Sequence, residues 1–468
     1  MPLIRTFSCP VMLGLSLFCL SASQAQVASP PQVPSPALPS PYSLDKSDPS
    51  NYLAPLEALR PLRERYIASP QWRDSYFEYL AAHEAFVGND AEAIADFDLA
   101  SPPDEDLTDK DAQAAVKALD GYHSVDARQA ILKLADTHPV VFINEAHHVP
   151  ACRAFALSLL SGLYSRGFRY FAAETLSEKD TQLQSRGYPN QKTGYYTTEP
   201  DFGDLVRTAL KLGFKVVPYE YQLKPSQGFN TSDNPLADEE LREQGEAKNL
   251  YDRIFKANPN AKVLLYAGYG HIAKKTDTFT WSAGDLGAKK AGSGTFIPMA
   301  IYFQRLSGIV PFSINQSSLY SRSVPTQESL LYRHIVSQNL VQNAPAVFQN
   351  AKGQYYVPPS LRGVYDLVVC QPPVRYQNGR PDWLLMNGHR SPVALPADLP
   401  APTDAAHSLL VQAFYTNEDP SQAIPIDQIE LRSGGGTRPG LMLPQGRFLL
   451  QVVNGTGAVL SHRQIINP

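Results

Sequence analysis

The chain has little charge excess and no long apolar run, and both absences exclude classes of function. Its 41 Lys and Arg residues nearly balance 45 Asp and Glu residues, which gives a net charge of −4. Nothing in such a balance indicates a protein that binds nucleic acid or an anionic membrane surface. After the N-terminus, no stretch approaches the ~18 uninterrupted apolar residues of a membrane-spanning helix, so we predict no transmembrane segment.

Cysteine is also scarce, with four residues in the chain. Cys9 and Cys19 fall within residues 1–25, where Arg5, the apolar "VMLGLSLFCL" and the small residues of "SASQA" predict a cleavable signal peptide. We therefore expect a periplasmic or secreted protein. Cys152 and Cys370 remain in the mature chain, and either a disulfide or two buried thiols suits them.

Proline, by contrast, is abundant, and it marks the first boundary of the fold. Forty prolines are present, six of them within residues 29–41, which predicts an extended Pro-rich linker over 26–51. A helical N-terminal region follows over 52–136, with Ser124 as the predicted cap of its last helix. An α/β core is expected over 137–310, and a mixed, strand-rich extension over 311–468 with a hairpin near Asn454.

Within the predicted core, short apolar segments alternate with amphipathic ones. The predicted strands are residues 139–144, 168–174, 215–220, 262–268 and 298–303. The predicted helices are 150–166, 202–212, which ends at Gly213, and 236–258. Strands separated by helix-length segments indicate right-handed crossovers, and therefore a mainly parallel sheet with helices on both faces. In the extension, "YDLVVCQPP" predicts an edge strand.

Four consecutive predicted strands end in carboxylate or imidazole side chains. "VVFINEAHH" ends the first strand with Glu145, His147 and His148, and Glu174, Glu220 and His271 follow the next three. Ligands of open parallel sheets bind at the carboxyl ends of the strands. We therefore expect Glu145, His147, His148, Glu174 and His271 to form one catalytic site.

The mixture of side chains indicates proton transfer. A carboxylate beside a histidine orients the ring and raises its basicity, so a Glu–His pair can draw a proton from water. A further His and Glu can stabilise an oxyanion or hold a divalent metal, for which Glu145, His147 and His271 are the candidate ligands. Adjacent side chains of an extended segment point in opposite directions, so we expect one of His147 and His148 to face the site.

The helix before the fourth strand supplies candidate substrate-binding residues. Arg242, Glu246 and Asn249 recur at i, i+4 and i+7 and share one face. This face is either a solvated charged surface or a group aimed at the strand ends. In the second case Arg242 orients a carboxylate or carbonyl oxygen, with Glu220 beside it.

These segments resemble the superfamily of erythromycin esterase, ChaN, TraB and Tiki proteins over about residues 138–305. "NEAHHVPACRAFALSLLSGLYSRGFRYFAAET" is similar to the family's G-E-x-H…E opening, and "REQGEAKNLYDRIFKANPNAKVLLYAGYGHIAK" to its Arg-helix, strand and G-x-x-H segment. The resemblance implies roles for Glu145, Glu174, Arg242 and His271. It selects His147 by the E-x-H of the ChaN-like branch, or His148 by the E-x-x-H of the esterases. Asn144 replaces the usual Gly.

The resemblance implies several functions, because some members hydrolyse a lactone ester, some are metal-dependent proteases and ChaN binds haem. We expect a hydrolase of an ester or amide bond in a small molecule or peptide, with Glu145 as the partner of the histidine base. The alternatives are haem or small-ligand binding without turnover, through Tyr195 or Tyr196, and a non-catalytic interaction module. For the hydrolase we expect alanine at Glu145 or His271 to abolish activity and change stability by less than about 2 kcal/mol.

Overall fold

The computed structural model of the protein describes residues 38–44, 48–69, 71–100, 109–221, 236–281, 291–403, 407–434 and 439–468. The predicted signal peptide and most of the predicted Pro-rich linker lie outside these ranges. In the part of the chain that is described, no helix combines the length and the apolar character needed to cross a membrane.

Helices dominate the first part of the described chain, as its apolar spacing predicts. The helices are α1 (Leu53–Leu59), α2 (Arg63–Ile67), α3 (Arg73–Phe86), α4 (Asp90–Ala100), α5 (Asp109–Ala118), α6 (Ala127–Leu134), α7 (Ala151–Ser165), α8 (Leu183–Arg186), α9 (Pro200–Leu212), α10 (Leu236–Leu250), α11 (Met299–Ser307) and α12 (Leu330–Ser337). In the N-terminal group, Tyr66 and Tyr76 stack with ring centroids 4.3 Å apart inside a buried apolar cluster. Residues Leu410 and Val453 of the C-terminal region join that cluster.

The strands divide into one large sheet and several smaller ones. They are β1 (Tyr122–Asp126), β2 (Val140–Glu145), β3 (Tyr170–Ala173), β4 (Lys215–Pro218), β5 (Val263–Gly268), β6 (Asp277–Trp281), β7 (Gly292–Phe296), β8 (Phe312–Leu319), β9 (Ala346–Asn350), β10 (Leu367–Cys370), β11 (Tyr376–Gln377), β12 (Arg380–Pro381), β13 (Ser391–Val393), β14 (Leu409–Tyr415), β15 (Asp427–Leu431), β16 (Leu441–Leu443), β17 (Gly446–Asn454) and β18 (Val459–Asn467).

Among the described residues, eight strands form the large sheet, in the order β1-β9-β10-β8-β2-β5-β3-β4. The pairs from β10 to β4 are parallel, and β1 and β9 add two antiparallel pairings at one edge. Buried apolar side chains form a separate cluster on each face of this sheet. The mainly parallel, doubly covered α/β fold predicted from the alternation is therefore present.

Four local predictions are wrong. Residues 298–303 belong to helix α11, because Met299, Ala300 and Phe303 bury one helical face and Gly308, at φ 71°, ends the helix. Strand β10 lies between β9 and β8 instead of at the sheet edge. Ser124 lies in strand β1, and Asp126 caps α6 by accepting a hydrogen bond from the Gln129 amide. The helix predicted over 236–258 is α-helical from Leu236 to Leu250 and continues as a π-helix over Tyr251–Phe255.

The C-terminal part of the chain forms an antiparallel sheet in the order β15-β14-β17-β18, and the predicted hairpin at Asn454 joins its last two strands. Strands β8, β9 and β10, which follow residue 310, belong to the large sheet. The predicted division at that residue stays a prediction. Cys152 and Cys370 are both buried free thiols.

Candidate functional site

The candidate site lies at the carboxyl ends of strands β2, β5, β3 and β4. Glu145, the last residue of β2, is the register partner of Gly268, the last residue of β5. Glu174 follows β3 and donates its amide to the carbonyl of Tyr266 in β5 over 3.1 Å. The parallel register therefore brings together residues that are far apart in the sequence.

Glu145 is 1% exposed and accepts hydrogen bonds on both carboxylate oxygens. Arg153 donates to them over 2.7 and 2.8 Å, the Tyr266 hydroxyl over 2.8 Å, and Nδ1 of His147 lies 2.8 Å away. Burial raises the pKa of Glu145, but Arg153 and His147 outweigh it and lower the pKa to about 2. Glu145 is therefore an anion at neutral pH.

The sequence reading missed Arg153, which organises this half of the site from the first turn of α7. Its side chain is fully buried and also donates to Glu199 over 3.0 Å. Glu199 in turn caps helix α9 by accepting the amides of Asp201 and Phe202. One arginine inside the apolar run "ACRAFALSLL" is the signal that indicates a buried partner, because an arginine is fully buried only when paired.

His147 is held with one nitrogen toward Glu145 and the other toward the rim of the sheet. Its ring stacks on Tyr196, with centroids 3.8 Å apart, and meets the edge of Tyr269 at 5.0 Å. The contact with Glu145 uses Nδ1. A Cβ on Gly268 would lie 2.6 Å from Nε2 of His147 and 3.2 Å from Oε2 of Glu174, so these two atoms face the same small space.

His148 points away from this space. Its ring stacks on Phe97 with centroids 3.6 Å apart, and its two nitrogens lie 3.4 and 3.2 Å from the hydroxyls of Tyr269 and Tyr320. Burial lowers the pKa of His148 well below its ordinary value, so the ring is neutral. His147 is thus the member of the pair that lies in the site.

Arg242 of helix α10 is aimed at the strand ends, which selects the second of the two alternatives for this helix face. Its guanidinium lies 2.5 Å from Glu174, 3.0 Å from Glu220 and 3.1 Å from Glu246. Burial lowers the pKa of Arg242, but the surrounding carboxylates outweigh burial and raise the pKa well above its ordinary value. The guanidinium therefore supplies a fixed positive charge beside Glu174.

His271 lies on the other side of Glu174. Its Nε2 is 3.4 Å from Oε1 of Glu174, and its Nδ1 makes a short contact with Glu243, a residue that the sequence reading missed. Burial lowers the pKa of His271, but Glu243 and Glu174 outweigh burial and raise it well above its ordinary value. His271 is therefore a second cation at neutral pH.

Two predicted substrate-binding residues have other contacts. Asn249 donates to the carbonyls of Tyr219 and Glu220 over 3.1 and 3.3 Å, so it holds the backbone after β4. Glu246 has a fully buried side chain in contact with Arg242. Asn249 and Glu246 therefore support Glu220 and Arg242, and their contact with substrate stays a prediction.

The metal ligands predicted from the sequence do not fit a divalent ion. Both oxygens of Glu145 are occupied by Arg153, Tyr266 and His147, and carboxylate ligands need an oxygen directed at the metal. Glu174, Glu220 and Glu246 also cluster, but the guanidinium of Arg242 stands among them. Arg242 therefore occupies the centre of this cluster and neutralises part of its negative charge.

The tyrosines of the haem alternative have contacts of their own. The hydroxyl of Tyr195 lies 3.1 Å from Nε2 of His83. Tyr196 lies beneath His147, and burial raises its pKa far above the ordinary value. Haem ligation by tyrosine uses the phenolate, which this environment disfavours.

Neither described thiol suits a nucleophilic role. Cys152 and Cys370 are buried, and burial raises the pKa of Cys152 to about 12. Burial also raises the pKa of Cys370. The thiolate is the reactive form of cysteine, so both thiols are chemically inert at neutral pH.

Comparisons with known proteins give little. No family model and no curated protein matches the sequence. A solved structure described as "Crystal structures reveal a thiol-protease like catalytic triad in the C-terminal region of Pasteurella multocida toxin" matches with 10% identity and a TM-score of 0.29. The match covers 81% of this chain and 51% of that one, so this chain spans about half the length of its neighbour. A likeness at this TM-score carries no argument about chemistry.

Proposed function

We propose that this protein hydrolyses an ester or amide bond with water activated by the Glu145–His147 pair. One observation carries the proposal. Nδ1 of His147 lies 2.8 Å from an ionised, fully buried carboxylate, while Nε2 faces the rim beside Glu174. A carboxylate that fixes one nitrogen of an imidazole makes the other the acceptor for a proton.

The reaction follows from this tautomer. Nε2 of His147 takes a proton from water as the water oxygen adds to the carbonyl carbon of the substrate. The imidazolium so formed is stabilised by Glu145, which stays ionised because Arg153 holds its pKa low. His147 then gives the proton to the leaving alcohol or amine as the carbon–oxygen or carbon–nitrogen bond breaks.

Arg242 and His271 supply the positive charge for the oxyanion. Nη1 of Arg242 lies 3.3 Å from Nε2 of His271, and Glu174 contacts both residues. Positioned cations in a partly dehydrated site stabilise developing negative charge more than water does. Glu174 holds these groups in place, so it is a positioning residue in this scheme.

We also propose that the chain belongs to the erythromycin esterase, ChaN, TraB and Tiki superfamily. Its support is the chain order of Glu145, Glu174, Arg242 and His271 on a mainly parallel sheet. Asn144 stands where the superfamily usually has Gly. Its side chain donates to Tyr269 over 2.7 Å and accepts from the Gln316 amide over 2.8 Å, so it ties β5 and β8 to the end of β2.

The test is a panel of p-nitrophenyl esters of increasing acyl length, simple lactones and peptide anilides. The proposal predicts hydrolysis of at least one substrate class, with a rate about 100- to 10,000-fold lower in His147→Gln. Absence of hydrolysis over the whole panel, together with a saturable Soret band on haem titration, would instead support the binding alternative.

A further inference from the structure

A cavity lies beside the candidate site, and His148 forms part of its wall. It has a volume of about 340 Å³ and is lined by the first turn of α7, the residues after β10 and the segment Asp382–Gly388. That volume falls near the lower end of the range of about 300–1,000 Å³ for small-molecule sites. The cavity therefore suits a compact small molecule and is too small for a folded partner.

The lining of the cavity is largely aromatic and aliphatic. Phe155, Tyr320, Tyr376, Trp383 and Leu385 face it. Such side chains favour a ligand with a flat apolar body, because aromatic rings bury a large area and pack in offset or edge-to-face arrangements. Trp383 is half-buried, so it gives the cavity its own spectroscopic reporter.

Several polar side chains of the cavity wall already have hydrogen-bond partners. His148 contacts the hydroxyl of Tyr320 at 3.2 Å, and Gln371 donates to Gln316 over 3.2 Å. A ligand here consequently finds few donors and acceptors to satisfy. Burying a polar group without a partner costs free energy, so the cavity selects against strongly polar molecules.

The charged residues of the cavity wall disfavour an anionic ligand. Among the described residues, no lysine or arginine lines the cavity, while Asp90 and Asp382 do. The first turn of α7 offers no anion site, because the amides of Cys152, Arg153 and Ala154 donate to Val149 and Pro150. An anionic ligand would therefore be buried without a positive partner.

The wall formed by Asp382–Gly388 is preformed. Met386 and Asn387 hold left-handed backbone conformations at φ 45° and 56°, and a methionine adopts this region only when neighbouring structure imposes it. The adjoining Arg390 is fully buried and donates to Asp201 over 2.9 Å and to Asp204 over 2.7 Å. A wall fixed in this way lowers the entropy lost on binding.

We propose that this cavity is a binding site for a small neutral molecule with an aromatic or otherwise flat apolar body. The proposal does not depend on hydrolysis at His147, because binding is measured without turnover. The cavity and the candidate site share a wall, since Phe97 stacks on His148 and Tyr269 contacts both histidines.

The test uses two matched fluorescent probes and the full chain. N-phenyl-1-naphthylamine is neutral, and 8-anilinonaphthalene-1-sulfonate carries the same rings with a sulfonate. We expect saturable one-to-one binding of the neutral probe with quenching of Trp383, and binding of the sulfonate at least about tenfold weaker. Trp383→Phe should abolish the quenching. Absence of saturable binding, or equal affinity for both probes, would overturn the proposal.

Variants of α7 locate the binding. Ala154→Trp fills the cavity and should weaken the neutral probe at least about tenfold, while Ser161→Trp, on an exposed position of the same helix, should not. If Ala154→Trp does not fold, Leu157→Trp serves at a half-buried lining position. Equal binding by the filled variant and the control would place the probe elsewhere and refute the site. His147→Ala should bind as the unmodified chain does, which separates this result from the hydrolase proposal.

Discussion

The peptide N–H of Gly268 donates to Oε2 of Glu174 over 2.5 Å, and this bond joins the two halves of the candidate site. On one side stand Glu145 and His147, and on the other Arg242 and His271. The missing side chain of Gly268 leaves the space into which the His147 ring and the Glu174 carboxylate both project. The absence of a side chain at Gly268 therefore leaves room for the His147 ring and the Glu174 carboxylate at the end of β5.

Gly268→Ala should displace His147, because the new Cβ would lie 2.6 Å from Cε1 and Nε2 of its ring. We expect kcat/KM to fall at least about 100-fold, as misplacement by about 1 Å does in other active sites. The matched control is Gly162→Ala in α7, which lies away from the site. Its new Cβ would come equally close to a neighbour, at 2.5 Å from the Leu132 side chain. An equal loss of activity per folded molecule in both variants would contradict this account of Gly268.

Glu145→Gln should destabilise the fold by about 3–5 kcal/mol, because it leaves the fully buried Arg153 without its main charge partner. This replaces the expectation of less than about 2 kcal/mol from sequence alone. Denaturant unfolding of Glu145→Gln, Arg153→Met and the double variant measures the coupling. The double variant should be more stable than the sum of the single losses predicts, and strict additivity would show that the pair is not coupled.

The stability of the fold should decrease between pH 6.5 and 8. The pKa of His271 is raised, so its contribution is complete below its ordinary pKa and is lost as pH rises through the folded value. Glu78, whose pKa burial raises to about 8, acts in the same direction. His148 acts weakly in the opposite direction near pH 6.5, since it is neutral when folded and its unfolded form still loses a proton there.

The variant His271→Gln should flatten that slope, as measured by unfolding free energy at several pH values. Substitution of the exposed His462 on β18 by Gln serves as the control and should preserve the slope. A slope in His271→Gln equal to that of the unmodified chain would show that His271 is not protonated in the folded state.

Chelation should leave the hydrolysis rate unchanged within about twofold, because Arg242 already stands among Glu174, Glu220 and Glu246. The measurement compares rates before and after dialysis against a chelator, with metal content determined by mass spectrometry. Loss of activity that returns with zinc would contradict this, and would direct attention to Glu239, Glu243 and His271, whose ligand atoms lie within 4.8 Å of one another.

Strand ends were predictable because burial on both faces leaves a clear apolar run that stops at a polar residue. This reasoning located Glu145, Glu174, Glu220 and His271, and the parallel register then brought them together. It could not choose between His147 and His148. That choice depends on Phe97 and Tyr196, which come from distant segments and stack on opposite members of the pair.

Buried partners were not predictable from local pattern. Glu243 lies on the same helix as Arg242 but contacts His271, which comes from the loop after β5. The segment 298–303 was mistaken for a strand since six apolar or small residues suit either structure. Its helical state is decided by Pro298 at the N-terminus and Gly308 at the C-terminus.

The most direct test of the central claim compares His147→Ala with His148→Phe in hydrolysis of the best substrate from the panel. The two residues are adjacent, but only His147 contacts Glu145. The account predicts a fall of about 100- to 10,000-fold in kcat for His147→Ala and less than about tenfold for His148→Phe. Equal rates for His147→Ala and the unmodified chain, or a larger loss for His148→Phe, would contradict it.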